Sequence, residues 1–136
     1  MSQPGRVDDA TCPCDTDKDY EDCCGRFHAG RAPSTALETM RSRYSAYVLE
    51  LEAYLLDTWA TSTRPPTIGF DPTIRWTGLE IIETESGGLF DDTGTVSFGA
   101  DHAVDGMPRR LLEKSRFVRE DASWRYLDAE QARLDA

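Results

Sequence analysis

The sequence predicts an α+β protein: a short N-terminal metal module, then helices, then one curved four-stranded antiparallel sheet with the helices packed on one side of it. Three observations predict this. All four cysteines of the 136-residue chain fall between Cys12 and Cys24. An apolar stripe at helical spacing follows, and from Ile74 onward the period changes to alternation in four successive runs. The length is that of a single core, so residues 1–33 are expected to form the module and its connector, and 34–136 the α+β domain.

The module comes first. Its spacing is Cys12-x-Cys14-x8-Cys23-Cys24. Two short ligand pairs joined by a turn can close around Zn²⁺, which takes four thiolates in a tetrahedron with Zn–S near ~2.3 Å. Four thiolates leave no position for water, so the predicted zinc is structural. A segment this short and polar has no apolar core of its own, and the metal would serve as one. Disulfides compete poorly, because adjacent Cys23 and Cys24 are badly placed to bridge each other. A redox pair lacks the C-x-x-C spacing and a helix N-terminus to lower a thiol pKa. Inert free thiols are the remaining alternative, and His28, four residues after Cys24, is an alternative fourth ligand.

Gly25, Gly30 and Pro33 mark residues 25–34 as a connector. Thr35 followed by Glu38 predicts a capping box at a helix start. Leu37, Met40, Tyr44, Tyr47, Val48, Leu51 and Leu55 then form one core-facing stripe, with Arg41 and Arg43 read as flanking it and snorkelling from a solvated face. Whether the helix breaks near Glu50 is left open, since the stripe stays in phase to Trp59. Arg64-Pro65-Pro66 ends the helical region.

The first strand holds Ile74 and Trp76 on one phase and Leu79 and Ile81 on the other, which predicts a β-bulge at Thr77-Gly78. The second places Val96, Phe98 and Ala100 on one face. Asp105-Gly106 is a hairpin signal. The third, about Arg109 to Arg119, alternates Leu111, Glu113, Ser115 and Phe117 against Leu112, Lys114, Arg116 and Val118. The fourth runs from Ser123 to Ala129, with Trp124 read as an exposed aromatic able to serve a homodimer contact.

The formal charge of -10 repels polyanions. Within residues 1–33, Arg6, Lys18, Arg26 and Arg31 face Asp8, Asp9, Asp15, Asp17, Asp19, Glu21 and Asp22, so no local basic patch offsets it and a nucleic-acid partner is not expected. The opening residues carry no apolar run of a secretory signal, and no stretch approaches the ~20 apolar residues of a membrane span. The expected compartment is the cytoplasm, where clustered cysteines are more often metal ligands than disulfides.

Two resemblances add to this reading. C-P-C-x8-C-C-G, from Cys12 to Gly25, resembles the SEC-C motif, a small zinc module found at the ends of many bacterial proteins. The usual module is basic after its second cysteine, whereas this chain has Asp15, Thr16, Asp17, Lys18 and Asp19 there, which separates it from any anionic partner of that module. M-R-S-R-Y-S-A-Y (Met40 to Tyr47), Y-L-L-D-T-W (Tyr54 to Trp59), W-T-G-L-E-I (Trp76 to Ile81), G-T-V-S-F (Gly94 to Phe98), L-E-K-S-R-F-V-R-E (Leu112 to Glu120) and W-R-Y-L-D (Trp124 to Asp128) are similar to successive blocks of the bacterial YchJ-like family. That resemblance implies a cone-shaped domain similar to nuclear transport factor 2 and the SnoaL-type proteins. It also implies a second SEC-C module in many members; with no cysteine after Cys24, one module is expected here.

In such a cone, Tyr44, Trp59, Trp76, Phe98, Glu113 and Phe117 are the candidate pocket residues. Glu113, Ser115 and Tyr44 are the catalytic candidates, with Glu113 as a partly desolvated base. The competing reading pairs Glu113 with Arg41 or Arg43 as a structural ion pair. No nucleophile-base-orienter set is visible, since His102 is the only histidine after residue 33 and is placed at a hairpin end. The favoured function is therefore a non-enzymatic zinc protein that binds a protein partner or small ligand. The alternative is a small hydrolase or isomerase working around Glu113, on fold analogy alone.

Overall fold

The computed structural model describes residues 11–135, so Arg6, Asp8 and Asp9 of the charge balance lie outside the described residues. In chain order there is a 3-10 turn at Tyr20–Asp22, helix α1 at Cys24–His28, α2 at Ala36–Leu49, and α3 at Glu52–Asp57. Strands β1 (Ile74–Ser86), β2 (Thr93–Val104), β3 (Met107–Glu120) and β4 (Ser123–Asp135) follow. They form one antiparallel meander in the order β1-β2-β3-β4, the helices-then-sheet architecture the sequence predicts.

Residues 25–34 are not connector throughout, because their first four residues complete α1. Gly25 belongs to that helix for a steric reason: a Cβ there would stand 2.7 Å from the Tyr20 carbonyl oxygen. Helix α2 starts at Thr35, whose Oγ1 accepts from the Glu38 N–H at 3.1 Å. The reciprocal half of the capping box is displaced by one residue, since the Glu38 carboxylate accepts from the Ser34 N–H at 2.8 Å.

The helix does break at Glu50. Glu50 adopts φ 57° and ψ 50°, and the Leu51 N–H donates back to the Ala46 carbonyl while the Glu50 N–H donates to that of Tyr47. This is a Schellman closure made without glycine. The apolar stripe stays in phase across it, which is why periodicity alone does not reveal the break.

Met40 and Tyr44 of α2 pack with Leu79, Val96, Phe98, Ala100, Phe117 and Trp124 of the sheet, and the four cysteines belong to the same buried cluster. The opposite face of α2 is buried too, through Thr39, Ser42, Ser45 and Ala46, whose small side chains let the cysteine segment approach. Arg41 and Arg43 are not solvated flanks. Arg43 is 4% exposed, and Arg41 donates to the Cys14 carbonyl at 2.7 Å.

Register shifts between Trp76 and Gly78 and between Ile81 and Glu83 curve β1, the first at the predicted bulge and the second turning Ile82 outward to solvent. Two further shifts, opposite Lys114/Ser115 and Arg116/Phe117, curve β4. Asp105 (φ 51°) and Gly106 (φ 84°) form the predicted hairpin turn. Strand β4 continues six residues past Ala129, where polar side chains on an edge strand carry no alternating signal.

Trp124 is 1% exposed and its Nε1–H donates to the Ser34 carbonyl at 3.1 Å, so it is core and not an aromatic free for self-association. His102 lies near the end of β2, three residues before the Asp105-Gly106 turn, opposite Trp76 and in ring contact with it at 4.9 Å.

The loop after β1 is tied to the start of α2. The Ala36 N–H donates to the Gly87 carbonyl at 2.9 Å. Gly87 has φ +78°, and a Cβ on it would meet the Ala36 Cβ at 2.8 Å. Gly87→Ala is expected to lower stability by about 1–3 kcal/mol through backbone strain and this clash, read as a lower denaturant midpoint with an unchanged m-value.

Candidate functional site

Two places hold chemically capable side chains: the cysteine cluster, and a cavity between α2 and the sheet. The cluster is built by turns. The Cys12 N–H donates to the Lys18 carbonyl at 2.8 Å, closing a loop in which Asp15 and Asp17 both have φ 65°. The 3-10 turn then delivers Cys23, and Cys24 opens α1.

All four thiols are buried, none is in a disulfide, and their sulfur atoms lie within 4.8 Å of one another. The Cys14 and Cys23 sulfurs are 3.6 Å apart, close to the ~3.8 Å edge of a tetrahedron with metal–sulfur bonds of ~2.3 Å. Around them, Thr16 Oγ1 stands 3.2 Å from the Cys23 sulfur, and Ser45 Oγ 3.5 Å from that of Cys12. The Cys14 and Cys24 side chains stabilise a thiolate at Cys12 and hold its pKa far down; both are pushed up in return. Four buried sulfurs so arranged do not all ionise unless a cation joins them, so this donor set fits a thiolate-bound metal.

His28 is not among the sulfur neighbours. Its Nε2 lies 2.8 Å from the Ser42 carbonyl, which only accepts, so Nε2 carries the proton and Nδ1 accepts from the Tyr20 hydroxyl at 2.5 Å. The ring also meets that of Tyr54 edge-on at 4.6 Å. His28 thus fastens α1 to α2. Two more contacts dock the module: Arg41 on the Cys14 carbonyl, and the Asp15 carboxylate, which accepts from the Leu79 N–H of edge strand β1 at 2.8 Å.

The second place is a cavity of about 270 Å³, lined on the helix side by Met40, Arg43, Tyr44 and Tyr47. Trp59 and the sheet residues Trp76, Phe98, Ala100, Leu111, Glu113, Ser115 and Tyr126 complete the wall. Among the candidates, Tyr44, Trp59, Trp76, Phe98, Glu113 and Ser115 are brought together; Phe117 is in the core behind Tyr126, at 5.8 Å between ring centres. Trp59 is held there because the segment after α3 pairs with β4: the Ala60 N–H donates to the Tyr126 carbonyl and the Tyr126 N–H to that of Thr58, both at 2.8 Å.

Glu113 Oε2 accepts from the Ser115 hydroxyl at 2.6 Å and from the Tyr126 hydroxyl at 3.4 Å. Among the described residues no arginine is within ion-pair distance of it, so the structural ion pair with Arg41 or Arg43 is not formed. Burial pushes the Tyr44 and Tyr126 phenols up, keeping them protonated donors.

Arg43 is the residue the sequence reading misplaced. Its Nη1 donates to the Leu55 carbonyl and to Thr58 Oγ1, each at 2.8 Å. Its guanidinium lies 4.9 Å from the Trp59 ring centre and 4.8 Å from that of Tyr126. A signal was present: Arg43 is three residues after Met40 and four before Tyr47, so it lies on the stripe rather than at its edge.

The cluster and the cone together define a SEC-C motif joined to an NTF2-like domain. The family described as "YchJ, middle NTF2-like domain" matches residues 35–129, and the SEC-C motif matches residues 10–26. The chain belongs to this YchJ-like family, whose relatives carry the name UPF0225. The UPF0225 protein of Streptomyces avermitilis is 49% identical over 126 residues, covering 92% of this chain and 87% of that one. That of Streptomyces coelicolor is 49% identical over 120 residues, with 88% and 94% covered. A SEC-C motif containing protein from Rhodopseudomonas palustris, solved in solution, superposes with a TM-score of 0.77 at 26% identity over 88% of this chain and 97% of that one. A second, from Psychrobacter arcticus, gives 0.73 at 28% identity over 87% and 80%.

The histidine contact makes a pH prediction. Burial lowers the His28 pKa below its ordinary 6.5, so on acidification the unfolded chain takes up this proton first. The stability it contributes is complete above that value and falls as pH drops through it. The wild-type denaturant midpoint should therefore fall between about pH 7 and about pH 5.5, and fall less in His28→Gln, which cannot titrate there.

Proposed function

We propose that the protein is a zinc-stapled binding protein: Cys12, Cys14, Cys23 and Cys24 hold one structural Zn²⁺, and the cone takes a small ligand. The observation that carries it is the division between the two sites. The four sulfurs are buried together, with no other metal-ligating side chain among the described residues in their group. The aromatic cavity behind them contains both a carboxylate and a guanidinium. Zinc suits a closed four-thiolate set, where it takes part in no reaction and substitutes for an apolar core. The proposed compartment is the cytoplasm, in keeping with four reduced cysteines. No helix among the described residues is long and apolar enough to cross a membrane.

One observation favours the second reading, a hydrolase or isomerase with Glu113 as base: this carboxylate adjoins the cavity without an arginine partner. Binding is preferred because the other two candidates are already engaged. Ser115 donates to Glu113 itself, and Tyr44 is buried with its ring edge-on against that of Trp76.

The metal claim is tested by elemental analysis of the purified chain. About one zinc per chain is expected, falling to about zero in Cys12→Ser/Cys23→Ser, with proton release on reloading the chelated protein because thiols must ionise to bind. Iron in place of zinc, or full stability after metal removal, would refute the staple. The enzyme reading is tested separately by turnover that Glu113→Gln abolishes.

A further inference from the structure

The cavity combines three unusual features. First, Arg43 is buried, yet among the described residues no carboxylate is within ion-pair distance of it. Its hydrogen bonds from Nη1 go to neutral oxygens, and the Trp59 and Tyr126 rings flank its guanidinium. Second, the ring of Trp59 forms part of the same wall, and its Nε1–H is buried with no hydrogen-bond partner. A buried donor left without an acceptor is uncommon, because it forfeits its hydration with nothing in return. Third, Glu113 is fixed through Oε2 by Ser115 and Tyr126, while Oε1 has no partner among the described residues.

We infer that the cone is a receptor for a zwitterion of amino-acid size, whose carboxylate is recognised by Arg43 beside the Trp59 ring, whose ammonium is recognised by Glu113, and whose apolar body fills the aromatic cavity. This rests on the cone being a small-ligand site and names the class it takes. Charge selects the class. Arg43 and Glu113 cancel, so a simple cation or anion leaves one of them unmatched in a site of low polarity, whereas a zwitterion satisfies both. Tyr126 makes the two ends one unit, since its ring carries the guanidinium and its hydroxyl reaches the carboxylate. Size points the same way: 270 Å³ is about nine waters' share of liquid volume, below the usual range for drug-sized ligands. The walls offered to the body are Met40, Trp76, Phe98 and Leu111.

The test uses the full, zinc-loaded chain and four probes with one ring: L-phenylalanine, 3-phenylpropanoate, 2-phenylethylamine and 2-phenylethanol. Affinity is read by calorimetry, and contact by the Trp59 indole resonance, assigned with Trp59→Phe. Phenylalanine should bind best, about tenfold tighter than the acid alone and tighter still than the amine or alcohol. The indole resonance should move with both acids. Glu113→Gln should weaken phenylalanine about tenfold and leave the acid within about twofold. These two variants leave Arg43, which also holds α3, untouched. Amine or alcohol binding as tightly as the amino acid overturns the class but keeps the cone as a ligand site. If no probe binds and no cavity resonance shifts, both the class and the small-ligand reading fall, while the zinc assay is unaffected.

Discussion

Four sulfur atoms within 4.8 Å of one another, all buried, are the constraint around which the N-terminal third is arranged. Without a shared cation the group is poorly compatible with ionisation, because a thiolate at Cys12 pushes the neighbouring thiols up. With one, it supplies the attraction that the polar segment Asp15 to Asp22 cannot. The positive φ angles at Asp15 and Asp17 and the close contact at Gly25 bring the two ligand pairs to the same point.

The cluster is continuous with the rest of the protein through α2. One face of that helix is apolar and lies on the sheet; the opposite face is built of Thr39, Ser42, Ser45 and Ala46, too small to hold the module away. A helix buried on two sides places neighbouring residues in different environments. Arg41 reaches the cysteine segment, and Arg43, two residues on, enters the cone. The path from sulfur to cavity is therefore short and rigid: Cys12 meets Ser45, His28 meets Ser42, and Ser42 meets Tyr54, while Tyr44 lines the cavity. The module also meets the sheet, through the Asp15 carboxylate on the Leu79 N–H and through the buried cluster its cysteines share with Leu79, Val96 and Phe98.

What could be read from the sequence was whatever a period or a spacing encodes. The cysteine spacing gave the cluster, alternation gave the four strands, and the phase switch at Thr77-Gly78 gave the first bulge. Three features escaped, each for a different reason. The Glu50 break keeps the stripe in phase, so only the left-handed backbone reveals it. Trp124 reads as exposed because its partner, the Ser34 carbonyl, lies ninety residues away in sequence. The burial of Arg43 was masked by its charge, which ordinarily favours solvent, although its offsets to Met40 and Tyr47 put it inside.

That arginine also shows what the cone has not optimised. Burying a guanidinium costs several kcal/mol unless it is well paired, and desolvation does hold its pKa down. A protein using the site only as packing would do at least as well with an apolar side chain of similar volume, since replacing buried charges that way is often neutral or stabilising. Here the charge is retained, cushioned by two aromatic faces, and kept out of ion-pair contact with the one carboxylate in the same cavity, which is itself held by Ser115 and Tyr126. The opposite charges are thus kept separate, each anchored by neutral neighbours, as the proposed zwitterion site requires and as a purely structural ion pair would not be.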